Sequence, residues 1–257
     1  THLATLDLLS GGRAALGLGL HTTSMVEWLG LDAADVVERT RAAVTIVRRL
    51  LRGETVTREG PYAWGDECAL RFTPLRARPP IHVAGFGSEL LRLAGEIGDG
   101  AMPMATPPES VGDLVAEVRS GAKAVGRDPG ELEVVACAWL SLSEDGRGTE
   151  DPLRPMLATF APYLEERSLA AIGLTRAELA PLRTLVEAGR LDEAGAAVTP
   201  PMFALALAGT PEQVTERIAS LRQLGVTHVS LGGPLGPDPR EAIRLLGEQV
   251  LPGLRSG

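Results

Sequence analysis

Leu6-Asp7-Leu8-Leu9-Ser10-Gly11-Gly12-Arg13-Ala14-Ala15-Leu16-Gly17-Leu18-Gly19 lies near the start of a 257-residue chain and changes character twice. Its apolar beginning ends a helix at Ser10-Gly11-Gly12, because paired glycines stop an α-helix and redirect the backbone. A short apolar strand, Ala14 to Leu20, follows at once. It ends in Gly17 and Gly19, where the missing Cβ lets a bulky ligand approach the backbone closely. Helix, tight turn, buried strand and terminal glycines form a joint typical of α/β proteins, and the same alternation continues outward.

Ala34 to Arg52 places Val36, Val37, Val44, Val47, Leu50 and Leu51 on one helical face, and Gly53 stops it. Thr55 to Phe72 breaks the rhythm and reads as a hairpin-like insertion. Regular alternation returns with a strand at Pro79 to Gly85, a helix at Ser88 to Ile97, a strand at Ala101 to Met104 and a helix at Pro108 to Val125. Glu133 to Leu142 is the clearest strand. Residues 150 to 197 read as irregular helical turns. Thr210-Pro211-Glu212-Gln213 opens another helix, with Thr as N-cap and Pro in the first turn. Val226 to Leu231 is the last strand and Pro239 to Val250 the last helix. Five strand-helix units result, with strands near residues 14, 81, 101, 133 and 227. No internal repeat divides the chain, so a single domain over 1–257 is expected.

With 44% hydrophobic and 23% charged residues, the composition is that of an ordinary globular domain. A net charge of −8 argues against a nucleic-acid surface, which needs clustered cations. Arg39, Arg41, Arg48, Arg49 and Arg52 do cluster, but at helical spacing, as a solvated face or as ion-pair partners. No apolar run reaches the roughly 18 residues of a membrane span. Cys68 and Cys137 are far apart and form no CxxC unit, which fits two incidental thiols in a reducing, cytoplasmic setting.

Two glycine loops are the candidate binding elements. Gly17-Leu18-Gly19-Leu20-His21-Thr22-Thr23 is not a dinucleotide fingerprint, because Thr22 replaces the third glycine. His21 is either a ligand contact or a surface residue. Ala84-Gly85-Phe86-Gly87-Ser88-Glu89-Leu90 joins a strand to a helix and presents backbone N–H groups at the positive end of the helix dipole. It reads either as a phosphate site or as a simple N-cap turn, with Ser88 capping the helix or bonding a phosphate oxygen. Glu96 and Asp99 look like a carboxylate pair, but a turn with a salt bridge explains them better. His82, between Ile81 and Val83, is expected in the core or the barrel lumen. The four histidines are dispersed, so no metal site is expected, and no nucleophile elbow or Walker lysine appears.

The opening stretch closely resembles the third helix and fourth strand of the luciferase-like monooxygenase superfamily, flavin- and deazaflavin-dependent (β/α)8 TIM barrels. Leu93-Ala94-Gly95-Glu96-Ile97-Gly98-Asp99-Gly100-Ala101-Met102 matches that family's helix-to-strand corner. Phe203 to Gln213 resembles the approach to its seventh helix, and Gly225 to Pro239 its eighth strand. The Gly232-Gly233-Pro234-Leu235-Gly236-Pro237-Asp238 run is especially like the coenzyme F420-dependent methylenetetrahydromethanopterin reductases. The resemblance is loose over residues 142 to 200, and Leu20-His21-Thr22 stands where that branch tends to carry a second Gly and an acidic residue.

The resemblance implies a hydride-transferring oxidoreductase that uses reduced F420 on a small organic substrate. Its alternatives are an FMN-dependent monooxygenase and a non-catalytic flavin-binding or structural fragment. It further implies cofactor contacts from Gly19, Leu20, His21, Ala84, Gly85, Phe86, Gly87, Ser88, Gly232 and Gly233, the phosphate resting on the 85–88 loop. The catalytic residues stay open. Because the chain opens at the third helix, with no initiator Met before Thr1, barrel units 4 to 8 are the expected content. The missing front would be roughly 90 residues, at about 30 per unit, since a closed barrel needs eight. An open sheet arc exposes strand edges, so a homo-oligomer is expected.

Overall fold

The computed structural model describes residues 1–19, 26, 30, 34–85, 87–103 and 107–255. Two compact units separate, Thr1–Met102 with Ala116–Glu133, and Pro103–Val115 with Val134–Gly257. Each carries a parallel sheet flanked by helices, so the fold is α/β.

In the first unit the strands are β1 (Leu16–Gly19), β2 (Val56–Glu59), β3 (Tyr62–Cys68), β4 (Ile81–Ala84) and β5 (Gly100–Met102). β4 pairs in parallel with β1 on one side and β5 on the other, so Ala84 lies level with Gly19 and with Met102. β2 and β3 form the expected antiparallel hairpin. The opening helix, His2–Leu9, stops where expected, with Gly11 and Gly12 at positive φ and the Gly12 N–H bonded to the Asp7 carbonyl at 2.8 Å. Asp7 then secures the joint. Its buried carboxylate accepts the Ala14 N–H and two Arg76 N–H groups.

The arginine row on helix Val36–Leu51 resolves into ion pairs. Arg41 reaches Glu96 at 2.6 Å, Arg49 and Arg52 share Glu54, and the buried Arg48 meets Asp99. Asp99 also accepts the Ile81 N–H at 2.8 Å and Arg78 at 2.9 Å. Burial raises its carboxyl pKa, but the Ile81 N–H, Arg48 and Arg78 more than reverse this and hold it below the ordinary value. The turn-and-salt-bridge explanation of Glu96 and Asp99 therefore holds.

Gly95, in the same motif, packs on a neighbouring helix. A Cβ there would fall 1.9 Å from the Val118 carbonyl oxygen, and one on Gly121 would fall 1.9 Å from that of Arg92. Small residues bring helix Ser88–Ile97 against helix Pro108–Ala124, backbone to backbone, rather than against the sheet.

In the second unit β6 (Glu133–Leu142) pairs in parallel with β7 (Ala206–Gly209) and with β8 (His228–Leu235). Leu140, Leu142 and Leu207 pack with Val214, Ile218, Ala242, Leu245 and Val250 from the following helices. Helix Pro211–Gln223 starts in a full capping box between Thr210 and Gln213, as its sequence requires. Residues 150–197 include the short helices Arg154–Phe160, Glu166–Ala171, Ala180–Glu187 and Leu191–Ala196, of which the first three bury Leu157, Leu169 and Leu182 in turn.

β7 corrects the count of five strands. Ala206-Leu207-Ala208-Gly209 is short, small and almost wholly buried, so it has no alternation to betray a strand. β8 also runs further than expected, through Gly232-Gly233-Pro234 to Leu235, because a bulge opposite Trp139–Ser141 absorbs the irregular residues. The last helix differs as well. Pro239–Leu245 passes through a wider π turn at Leu246–Val250 and continues as Leu251–Arg255.

Candidate functional site

At the C-terminal end of β4 the backbone turns into helix Ser88–Ile97 through two glycines with φ of +154° and +94°, Gly85 and Gly87. Both values lie where a Cβ is strained. At Gly85 a Cβ would also sit 2.2 Å from the Leu90 side chain. The sequence must therefore place glycine here for the turn itself, before any ligand is considered.

Gly87 is the N-cap and has no side chain with which to cap the helix, and Ser88 is the first helical residue. Of the two readings of Ser88, the one that makes it the cap is therefore excluded. The first internal bond runs from the Leu91 N–H to the Gly87 carbonyl at 3.0 Å. An N-terminus without a side-chain cap suits an external anion, because its leading N–H groups and the helix dipole point the same way.

Gly19 lies beside this loop, level with Ala84 on the adjacent strand. A Cβ on Gly19 would fall 2.1 Å from the Ala84 carbonyl oxygen, so strand packing alone demands glycine there. Gly19, Ala84, Gly85, Gly87 and Ser88 thus come together at the ends of β1 and β4. Leu20, His21 and Phe86, expected in the same group, lie outside the described residues.

In the second unit, Gly232 and Gly233 lie exposed on β8. A Cβ on Gly232 would meet only the Ala138 carbonyl at 3.7 Å, and one on Gly233 nothing within 4 Å. Across from Gly232 stands Trp139, whose ring lies 5.4 Å from that of Phe160. Sequence reasoning passed over Trp139 because Val134 to Leu140 is an unbroken apolar run. Only its parity, opposite to Leu140, separates it from the core.

Among the described residues the titratable groups form no acid-base constellation. His82 is buried, as expected, and pairs with Glu133 at 2.6 Å. Burial pushes the Cys137 thiol up, with Ser230 partly opposing, so it stays protonated at neutral pH and is a poor nucleophile. Among the described residues no three His, Cys, Asp or Glu side chains gather as metal ligands. Among the same residues no helix is long and apolar enough to cross a membrane.

The family model "Luciferase-like monooxygenase" matches residues 1–228. A 5,10-methylenetetrahydromethanopterin reductase of Methanolobus tindarius is 30% identical over 97% of this chain and 76% of its own length. The structure of the coenzyme F420-dependent tetrahydromethanopterin reductase from Methanopyrus kandleri superposes with a TM-score of 0.88 at 26% identity, covering 98% of this chain and 77% of that one. Monooxygenase RslO1 from Streptomyces bottropensis superposes with a TM-score of 0.64 at 27% identity, covering 97% and 71%. Parallel strands flanked by helices and matches spanning almost every residue converge: the chain belongs to the luciferase-like monooxygenase family and is an oxidoreductase of that kind.

Proposed function

We propose that this oxidoreductase transfers a hydride between reduced coenzyme F420 and a small organic substrate, on the (β/α)8 scaffold of its family. The observation that carries the choice is the likeness to F420-dependent reductases along 98% of the chain at a TM-score of 0.88, against 0.64 for the monooxygenase. What supports the loop at Gly85–Ser88 as the seat of the coenzyme's phosphate is that Gly87 brings neither side-chain bulk nor a side-chain cap to the helix N-terminus. Gly19 lies exposed at the end of the neighbouring strand, level with Ala84 at the start of that loop. When bound, the deazaflavin supplies the hydride. The chain's own part is to hold the phosphate at the helix N-terminus and to orient the ring system.

An FMN-dependent monooxygenase is the second reading, favoured by the likeness to RslO1 at 27% identity. Reconstitution with each cofactor separates them. Reduced F420 oxidised by an organic acceptor without oxygen uptake supports the reductase. Oxygen uptake with reduced FMN, and none of the former, supports the monooxygenase. Binding of neither cofactor supports a structural role instead.

A further inference from the structure

Helix Pro211–Gln223 turns Val214, Ile218 and Leu221 into the core of the second unit. Thr215, Ala219, Arg222 and Gln223 recur at helical spacing, so they share the flank beside that buried face. Against this flank lies helix Leu251–Arg255, and a groove of about 400 Å³ runs between the two, lined also by Gly253 and Leu254. Its floor is small and apolar. A Cβ on Gly253 would fall 3.2 Å from the Thr215 methyl carbon, so glycine sets how closely the second helix approaches. The Thr215 hydroxyl is engaged elsewhere, donating to the Pro211 carbonyl at 2.7 Å.

At the rim, Arg222 gives one N–H to the Leu254 carbonyl at 3.0 Å. Among the described residues no carboxylate pairs with it. Other exposed helical arginines differ: Arg183 meets Glu187 at 2.7 Å and Arg244 meets Glu241 at 2.6 Å, each one turn away on its own helix. One turn from Arg222 stand Ile218, Ala219, Gly225 and Val226, which offer no charge. A guanidinium carries five N–H donors in a planar fork, so most of this one remains unspent. Gln223 sets an exposed amide beside it on the same rim.

We infer that this groove is an accessory site for a small aliphatic monocarboxylate, with its carboxylate on Arg222 and Gln223 and its chain over Thr215, Ala219 and Leu254. The guanidinium fork matches a carboxylate through two parallel hydrogen bonds. A hydrocarbon tail finds methyl groups below, in a space of the size that small ligands fill. A single cation over an apolar floor favours one negative charge, so the monocarboxylate is chosen over phosphate, whose further oxygens would meet methyl groups. An arginine near a helix C-terminus also answers the helix dipole, but that role needs no groove beneath it. The site lies between two helices and not at a strand end, so it stands whichever coenzyme the protein uses.

Sodium hexanoate is the probe, titrated into the isotope-labelled whole chain and followed by NMR, beside hexan-1-ol and inorganic phosphate. The backbone signals of Ala219, Gly253 and Leu254 should shift and saturate with hexanoate, and neither control should saturate them. Arg222→Gln removes the charge-assisted bonds and should weaken hexanoate at least about tenfold. Arg222→Lys, which keeps the charge without the fork, should fall between that variant and the wild type. Ala219→Leu fills the floor, leaves the guanidinium in place and should abolish saturation. Thermal melts establish folding, and should Ala219→Leu fail to fold, the exposed Arg222→Gln decides alone.

A wild type whose signals never saturate with hexanoate would overturn the site, as would equal hexanoate affinity in Arg222→Gln. Saturation by phosphate and not by hexanoate would overturn the carboxylate assignment. Hexan-1-ol binding as tightly as hexanoate would leave only an apolar cleft, with Arg222 serving the helix dipole, and overturn it too.

Discussion

Replacing Asp99 with Ala removes the acceptor that ties three parts of the first unit together. Arg48 would keep its buried position, with a side chain only 9% exposed, but would lose the carboxylate that neutralises it. The Ile81 N–H, at the start of β4, would lose its 2.8 Å partner at the same time. Stripping one partner from a buried pair costs about 3–5 kcal/mol. Asp99 keeps some water contact, at 23% exposure, which places the expected cost at the low end, about 3 kcal/mol. At roughly 2–4 °C per kcal/mol for a chain of this size, Tm should fall by about 6–12 °C.

Urea unfolding of the single variants and of the double variant with Arg48→Met measures the coupling. The double should cost less than the sum by at least about 1 kcal/mol, since no unpaired guanidinium is left buried. Acidity supplies a second axis. The folded pKa of Asp99 is depressed, so its stabilisation is complete above the unfolded value, about 3.9, and is lost as pH falls through the folded value. The gap between wild type and Asp99→Ala should therefore be widest near neutrality and close at low pH. A loss under about 1 kcal/mol, or strict additivity with Arg48→Met, would refute this reasoning.

Three further outcomes are expected. Gly95→Ala drives a methyl group to 1.9 Å from the Val118 carbonyl, a backbone atom that cannot swing aside; circular-dichroism melts should show a loss of about 1–3 kcal/mol or more. Thr210→Ala breaks the capping box of helix Pro211–Gln223 and should cost about 1 kcal/mol in urea titration, with Thr210→Ser restoring most of it. Because burial raises the Cys137 thiol pKa, its alkylation in the folded chain should rise only at higher pH than for a free thiol, as mass spectrometry of the labelled peptide would record.

Much of the fold was legible because turn chemistry and periodicity agreed. Ser10-Gly11-Gly12 stops its helix, Thr210 caps another, and β6 spans Glu133–Leu142 as its sequence requires. β7 was not legible, since four small apolar residues fit a strand or a helix approach equally. The glycine loop at Gly85–Gly87 was visible as a turn, yet sequence could not say that Gly87, not Ser88, takes the cap. Gly19 and Gly95 show why glycines mislead. A strand-end glycine suggests room for a ligand, whereas at both positions a neighbouring carbonyl occupies the space that a Cβ would need. Trp139 stayed hidden because its strand is apolar on both faces, and only pairing with Gly232 reveals the open side.

The central claim, that an F420-dependent oxidoreductase seats its coenzyme's phosphate on the Gly85–Ser88 loop, is tested most directly by phosphorus NMR. The phosphodiester resonance of F420 is recorded with the wild-type chain and with Gly87→Val, whose φ of +94° no branched residue supports. The wild type should shift and broaden the resonance at saturating protein, while folded Gly87→Val should leave it at the free position, with affinity reduced at least about tenfold, or roughly 1.4 kcal/mol. An identical shift and affinity in the two proteins would place the phosphate elsewhere and contradict the claim.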